Sequence, residues 1–348
     1  MKVKHFYITL AIFVFAVISL NAQDIHLTQT NMTPLLVNPA NAGAEYEIRG
    51  ILNYRSQWTS SDAPFKTMMA SYDMNFKKGK KSKTGYFAGG IYLFNDKAGT
   101  ANITTNQANL SVAYHLNLNA KNTLGLGVQG GYFQRSTSTS DLKWGSQFDG
   151  YSYNADYSSG EAAGDKFTVG STDYNTGLVW TYRNDEKYFS GKKIIITSGI
   201  SFHHINKPSY ENQGLVADNL YNRWIAHSGA TIGLNTKVSI LPYVFYSYQG
   251  AIDEAMFGSN VLYALKNSST YTNNVKGMAI GGGAFYRWND AIILTVLAQY
   301  SNYMFEFSYD INTSSYNNAT GGNGAFELSI QYVYPSPFGG VKSRSRFN

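Results

Sequence analysis

The sequence predicts an all-β fold, in which about fourteen antiparallel strands form a transmembrane barrel of the outer-membrane type. The first observation is composition, because 348 residues include 33 Gly, 28 Tyr and 20 Phe but only 7 Pro, which favours strands. The second is a recurring alternation of apolar and polar residues. The third is that no apolar run after residue 22 is long enough to span a bilayer as a helix.

The alternation is clearest in segment 323–334, where every second residue from Phe326 to Tyr334 is apolar and most of those between are polar. Successive side chains of a strand point to opposite faces, so one face of this strand is apolar. Segments 303–311 and 103–118 repeat the pattern. Lipid offers no hydrogen bonds to a sheet edge, so a sheet in a membrane must close on itself.

The predicted strands follow in chain order. They are 46–58, 65–76, 84–94, 103–118, 122–135, 171–183, 193–204, 223–237, 239–249, 255–265, 275–288, 290–301, 303–311 and 323–334. A soluble sandwich or propeller would also alternate, but the connections favour a barrel with long outer loops and short periplasmic turns. The long connections fall on the outer side if the first strand runs outward, at 136–170, 205–222 and 312–322. Tight links at 119–121, 237–238 and 301–302 fall on the inner side, although 77–83 and 183–192 are longer inner turns.

Residues 1–22 have the features of a signal peptide, with Lys2 and Lys4 before an apolar core and the small residue Ala22 at its end. An uncleaved membrane anchor is the alternative, but the apolar core is short for a bilayer span. We therefore expect export to the outer membrane. The expected organisation is then a periplasmic leader at 23–45, a barrel at 46–334 and a C-terminal tail at 335–348.

Charge and cysteine content exclude several classes of site. The chain contains no Cys, which excludes disulfides, thiol nucleophiles and thiolate metal sites. The formal charge of +6 is small and dispersed, so we expect no nucleic-acid partner. Adjacent His203 and His204 should point to opposite faces of a strand, which would prevent them from binding one metal ion together.

Three carboxylates, Glu306, Asp310 and Glu327, lie on predicted polar faces of neighbouring strands, close to Arg287. Such proximity could serve catalysis, but a salt-bridge network filling a barrel needs it too and is commoner. The Ser, His and Asp residues show no triad context. We therefore predict no catalytic residues, no metal site and no cofactor.

With the strands placed, a series of short motifs resembles the PorP/SprF family of type IX secretion system membrane proteins. They are DIHLTQTNMTPLLVNPANAG at 24–43, NYRSQW at 53–58, SYDMNF at 71–76, NDKAG at 95–99, SFHHINKP at 201–208, YRWNDA at 286–291, FSYDIN at 307–312 and GAFELSIQYVY at 324–334. Each motif is weakly specific, but their joint order is strongly so. One departure is Asn41, where the family more often has an aromatic residue.

The resemblance implies an outer-membrane barrel of Bacteroidota that works with the type IX machinery. The implied partners are type IX secretion components, outer-membrane lipid and a secreted surface protein, such as a large gliding adhesin, or its C-terminal sorting domain. We expect the barrel to dock that protein or to help export or anchor it. A channel for small solutes is the main alternative, and an outer-membrane enzyme is a weaker one.

Two groups of residues are candidates for partner binding or for plugging the barrel. The segment 34–43 is apolar but irregular, so it either tucks into the periplasmic mouth, pairs with a partner there, or serves only as a leader strand. The end of the first strand carries side chains that either face the lumen or, for the Trp, join an aromatic belt. The candidate residues are Pro34, Asn38, Pro39, Gly43, Arg55, Gln57 and Trp58.

Overall fold

The computed structural model describes residues 27–58, 64–76, 84–99, 103–138, 143–158, 160, 166–185, 193–209, 219–266, 277–314 and 323–334. The predicted signal peptide at 1–22, the C-terminal tail at 335–348 and the basic turn at 77–83 lie outside these residues. Among the described residues, no helix has the length and apolarity needed to cross a membrane.

Fourteen strands make up the described part of the wall. They are β1 (Ile48–Gln57), β2 (Phe65–Asn75), β3 (Gly85–Ala98), β4 (Ile103–Asn117), β5 (Asn122–Ser138), β6 (Lys166–Asp185), β7 (Lys193–His203), β8 (Arg223–Gly233), β9 (Val238–Gln249), β10 (Ile252–Lys266), β11 (Met278–Arg287), β12 (Ala291–Tyr300), β13 (Tyr303–Asn312) and β14 (Asn323–Tyr334). Among the described residues, one short helix, α1 (Pro34–Val37), lies before the strands, with 3-10 turns at Thr30–Met32 and Pro39–Asn41. A third 3-10 turn, Gly145–Gln147, lies between β5 and β6.

Each strand pairs antiparallel with its neighbours in sequence, and β1 pairs with β14, which closes the barrel. The closing register places Ile48 opposite Tyr334 and Gln57 opposite Ala325. The predicted all-β antiparallel barrel of fourteen strands is therefore confirmed. The predicted bounds of the loop at 136–170 are wrong at both ends, because the paired strands β5 and β6 extend to Ser138 and Lys166 and the loop is shorter than predicted.

The outer face of the barrel is apolar, as the alternation predicted. In β12, Val296 is 63% exposed whereas its neighbour Leu297 is 1% exposed. Exposed aromatic rings concentrate near both ends of the strands, which is the aromatic girdle of membrane barrels. One group comprises Tyr114, Tyr263, Tyr300, Tyr303 and Tyr332, and the other comprises Trp224, Tyr248, Trp288 and Tyr309.

We call the end of the barrel where β1 begins and β14 finishes the termini end, and the opposite end the loop end. The longest connections, between β5 and β6 and between β7 and β8, are both at the loop end. Part of the first of them is ordered by Asp149, whose carboxylate accepts hydrogen bonds from the backbone N–H groups of Tyr151 and Ser152 at 2.8 and 2.7 Å. These bonds lower the pKa of Asp149, with the bond from Ser152 contributing most.

The N-terminal residues 27–45, which we call the plug segment, run inside the barrel rather than beside it. Leu35, on one side of α1, packs in a cluster with Met69 and Tyr92 of the wall. Val37, on the other side, packs against Phe245 and other residues of β8 to β12. The plug segment therefore joins opposite walls of the barrel through two separate apolar clusters.

Candidate functional site

Asn38 seats the plug segment against the wall. It is completely buried, and its side-chain nitrogen donates to the carbonyl oxygens of Leu178 and Ile200 at 3.0 and 3.1 Å. Its side-chain oxygen accepts from the backbone N–H of Ala40 at 2.9 Å. One amide thus holds two neighbouring strands and also fixes the turn that carries Pro39.

Glycines on three consecutive strands make room for this turn. A Cβ at Gly127 of β5 would lie 2.4 Å from the backbone nitrogen of Ala40. A Cβ at Gly177 of β6 would lie 2.1 Å from the side-chain oxygen of Asn38, and one at Gly199 of β7 would lie 2.7 Å from its nitrogen. These three glycines, which we call the glycine floor, let the wall and the plug backbone approach more closely than any side chain permits.

Gly43 closes the plug segment near the termini end. Its φ of +61° is in the left-handed region that favours glycine, and a Cβ there would lie 2.7 Å from the Cβ of Ala88. Its N–H donates to Asp73 at 2.8 Å, and Asp73 also pairs with Arg49 at 2.8 Å. Arg49 in turn donates to the carbonyl oxygen of Asn41 at 3.0 Å. A buried ion pair therefore clamps the segment where it leaves the lumen.

The start of the plug segment is held by the three carboxylates of β13 and β14. Glu327 accepts from the backbone N–H of Thr28 at 2.8 Å, and Asp310 accepts from the Thr28 hydroxyl at 2.9 Å. The Asn31 amide donates to Glu306 at 3.3 Å. The carboxylates thus serve as acceptors for the plug backbone and side chains, a role that the sequence did not indicate.

The same carboxylates form an ion-pair network across the β1–β14 closure. Arg55, 2% exposed, lies 3.6 Å from both Asp310 and Glu327. Arg287 lies 2.9 Å from Asp310. The structure therefore brings Arg287 together with the acidic cluster, as predicted, and adds Arg55 to it.

Above the plug segment, the lumen widens at the loop end into a cavity of about 340 Å³, which we call the vestibule. Leu36 of the plug segment lines it. Rings such as Tyr92, Phe94 and Phe133 line its apolar side. Its polar lining comprises Arg55, Gln57, Thr67, Asp96, Thr105, Gln107, Arg135, Asp173, Asn175, His203, His204 and Arg223.

The two groups of predicted residues occupy two levels of the lumen. Pro34, Asn38, Pro39 and Gly43 are buried in the plug segment. The first-strand residues Arg55, Gln57 and Trp58 all line the vestibule, and Gln57 accepts a hydrogen bond from Arg55 at 3.2 Å. The Trp58 ring meets Phe65 edge-on with 5.3 Å between centroids. The sequence alone gives no reason to single out Leu36, Arg135 or Arg223, because only the closed fold brings them to the same cavity.

The expectation that His203 and His204 point to opposite faces is wrong. Strand β7 ends at His203, and His204 has a φ of +58°, so the chain turns and both rings line the vestibule. His203 contacts the carbonyl oxygen of Val37 at 3.2 Å, whereas His204 pairs with Asp173 at 2.9 Å. Within the described ranges, no group of three or more His, Asp or Glu side chains is placed to hold a metal ion.

A second cavity, of about 140 Å³, lies on the termini side of the plug segment. Glu306, Tyr243 and Arg49 line it, and none of these residues lines the vestibule. The plug segment therefore separates two spaces within the barrel.

Among solved structures, the chain is similar to several membrane barrels at low identity. A Pseudomonas aeruginosa FadL homologue is 10% identical, with a TM-score of 0.49, over 85% of this chain and 93% of that chain. The toluene transporter TbuX of Ralstonia pickettii is 13% identical, with a TM-score of 0.43, over 87% and 92% of the two chains. The translocator domain of the autotransporter NalP from Neisseria meningitidis is 9% identical, with a TM-score of 0.43, over 88% and 94% of the two chains. A search of curated proteins finds no match.

The family comparison is more informative. The model of the family described as type IX secretion system membrane protein PorP/SprF matches residues 19–332. The match includes the plug segment and nearly all of the described wall. The chain therefore belongs to the PorP/SprF family of type IX secretion system membrane proteins.

Proposed function

We propose that this chain is an outer-membrane docking subunit of the type IX secretion system, which holds a secreted surface protein or its C-terminal sorting domain at the vestibule. The termini end faces the periplasm in this proposal, as is usual for bacterial barrels, and the loop end faces outward. The observation that carries the proposal is the plug segment, which divides the lumen and favours recognition over conduction.

Hydrogen bonds between the plug segment and several strands of the wall support the proposal that the plug segment stays in the lumen. It is tied to β13 and β14 by carboxylates, to β6 and β7 by Asn38, and to β2 by Asp73. His115 of β4 and Ser201 of β7 add contacts to its carbonyl oxygens at 2.8 and 2.6 Å. Each such bond contributes about 1 kcal/mol, so the anchors together oppose spontaneous opening. A small-solute channel would need this segment to leave.

The lining of the vestibule supports binding of a peptide segment. Arg135 and Arg223 line the vestibule, and arginine and aromatic residues are prominent among the residues that dominate the energetics of protein interfaces. The rings of Phe133 and Phe94 add apolar surface beside them. Because the plug segment closes the bottom of the cavity, a partner would enter from the loop end and bind without passing through.

A photo-crosslinking amino acid at Gln57 tests the proposal in native outer membranes. We expect ultraviolet light to join the barrel to a type IX component or to one large secreted protein, identified by mass spectrometry. The same amino acid at Val296, on the lipid face, is the matched control and should not capture that protein. Identical capture from both positions, or no capture from position 57, would contradict docking in the vestibule.

A further inference from the structure

The outer wall carries a second candidate site, on the face of the strands opposite the lumen. The exposed side chains Lys66 of β2 and Lys97 of β3 lie directly opposite each other in the strand register. Like charges opposite each other destabilise a pair of strands, since their Cβ atoms are only about 5 Å apart. Within the described residues, neither ammonium group has a hydrogen bond or an ion pair.

A row of amides lies one step closer to the membrane centre. Asn95 of β3 donates a hydrogen bond to Asn106 of β4 at 2.7 Å, on the exposed face. These two residues face each other in the register, and Gln134 of β5 lies opposite Asn106. The row marks the depth at which the exterior changes from polar to apolar.

An apolar groove of about 730 Å³ continues below the amides on the same wall. Ala70 and Ala108 leave it room, and larger side chains such as Leu93, Met68 and Leu328 surround them. A barrel exterior is normally convex, so a depression of this size is a place where an acyl chain can lie against the wall. Charge, amide and apolar levels thus follow one another along the strands.

We propose that this face binds a phosphorylated, multiply acylated glycolipid of the outer leaflet. Its phosphate would neutralise Lys66 and Lys97, its sugar would bond the amide row formed with Asn95 and Asn106, and its acyl chains would fill the groove at Ala108. The order of the three levels matches the order of groups in such a lipid. The proposal depends on the loop end facing outward, but it is independent of protein docking in the vestibule.

The test is lipid binding to the purified full chain in detergent, measured by native mass spectrometry with monophosphoryl lipid A as the probe. We expect the double variant Lys66→Gln/Lys97→Gln to weaken lipid binding about thirtyfold, since each of the two lysines contributes about 1 kcal/mol at an anionic lipid surface. Lys121→Gln/Lys237→Gln removes the same charge from turns at the termini end and should leave binding unchanged.

A second variant, a dephosphorylated form of the lipid and free phosphate distinguish the contribution of the lysines from that of the groove. Ala108→Trp fills the groove without changing charge, so it should weaken binding of lipid A and of its dephosphorylated form alike. Inorganic phosphate should compete poorly because it lacks acyl chains. Equal binding by the native chain and the double lysine variant would overturn the proposal, as would full competition by phosphate. Capture of a protein partner by a crosslinker at Ala108 would also overturn it.

Discussion

Filling the glycine floor tests whether the plug segment is held by close contact with the wall. In the triple variant Gly127→Ala/Gly177→Ala/Gly199→Ala, the three new methyl groups would lie 2.4, 2.1 and 2.7 Å from plug atoms of Ala40 and Asn38. Nothing can remain at those distances, so either the plug segment or the wall must move.

The size of the effect follows from the number of contacts. Overpacking a well-packed site costs about 1–3 kcal/mol. All three sites press on the same turn from Asn38 to Ala40, so their costs are coupled and the total will differ from the additive figure of roughly 3–9 kcal/mol. The bonds of Asn38 and Ala40 lost with the turn add about 1 kcal/mol each. A single Gly→Ala change should therefore leave the plug segment mostly seated, whereas the triple variant should release it.

Release of the plug segment can be measured by the labelling of a single introduced cysteine, because the chain itself has no Cys. Thr33 is 0% exposed, so Thr33→Cys should react with a water-soluble maleimide only after the plug segment moves. We expect at least tenfold faster labelling in the triple variant. Gly130→Ala is the matched control in β5, because its Cβ would make only an ordinary contact of 3.6 Å with Tyr174. Unchanged labelling in the triple variant would refute the reasoning.

Three further changes probe the network, the clamp and the lipid-facing wall. Arg55→Met leaves the buried carboxylate of Glu327 without its cation, so we expect a loss of about 3–5 kcal/mol in folding stability. Urea titration in lipid vesicles measures this loss, and a loss below about 1 kcal/mol would contradict the ion-pair network. Asp73→Asn removes the closer of the two carboxylates that pair with buried Arg49, the other being Glu45 at 3.8 Å, and should cost up to about 3–5 kcal/mol, with plug labelling as a second measurement. Val296→Lys should cost about 2–4 kcal/mol because the residue lies mid-strand on the outer face, whereas Tyr300→Lys at the strand end should cost roughly 0–1 kcal/mol. Equal costs at these two positions would contradict the placement of the apolar belt.

Much of the wall could be predicted because alternation alone decides which face a side chain takes. Leu328 is exposed and Glu327 is buried, as a period of two requires. The same argument gathered Asp310 and Glu327 on the inner faces of neighbouring strands. Alternation does not give the closing register, so the approach of Arg55 to these carboxylates was visible only in the closed barrel.

The plug contacts could not be predicted because they join residues far apart in the chain. Gly127, Gly177 and Gly199 resemble ordinary strand glycines in the sequence, and only the aligned strands show that they surround the turn from Asn38 to Ala40. His204 was misjudged because one left-handed residue at a strand end breaks the alternation. Period-two reasoning therefore gives the faces of strands, but not the irregular segment that fills the lumen.

We propose that this barrel acts by recognition, with its lumen divided by the plug segment. Current through the unaltered protein in a planar bilayer tests it most directly. We predict no steady current from the native chain at either polarity, and a current that appears when the three glycines of the floor are replaced. A steady, solute-dependent current through the native barrel would contradict the account.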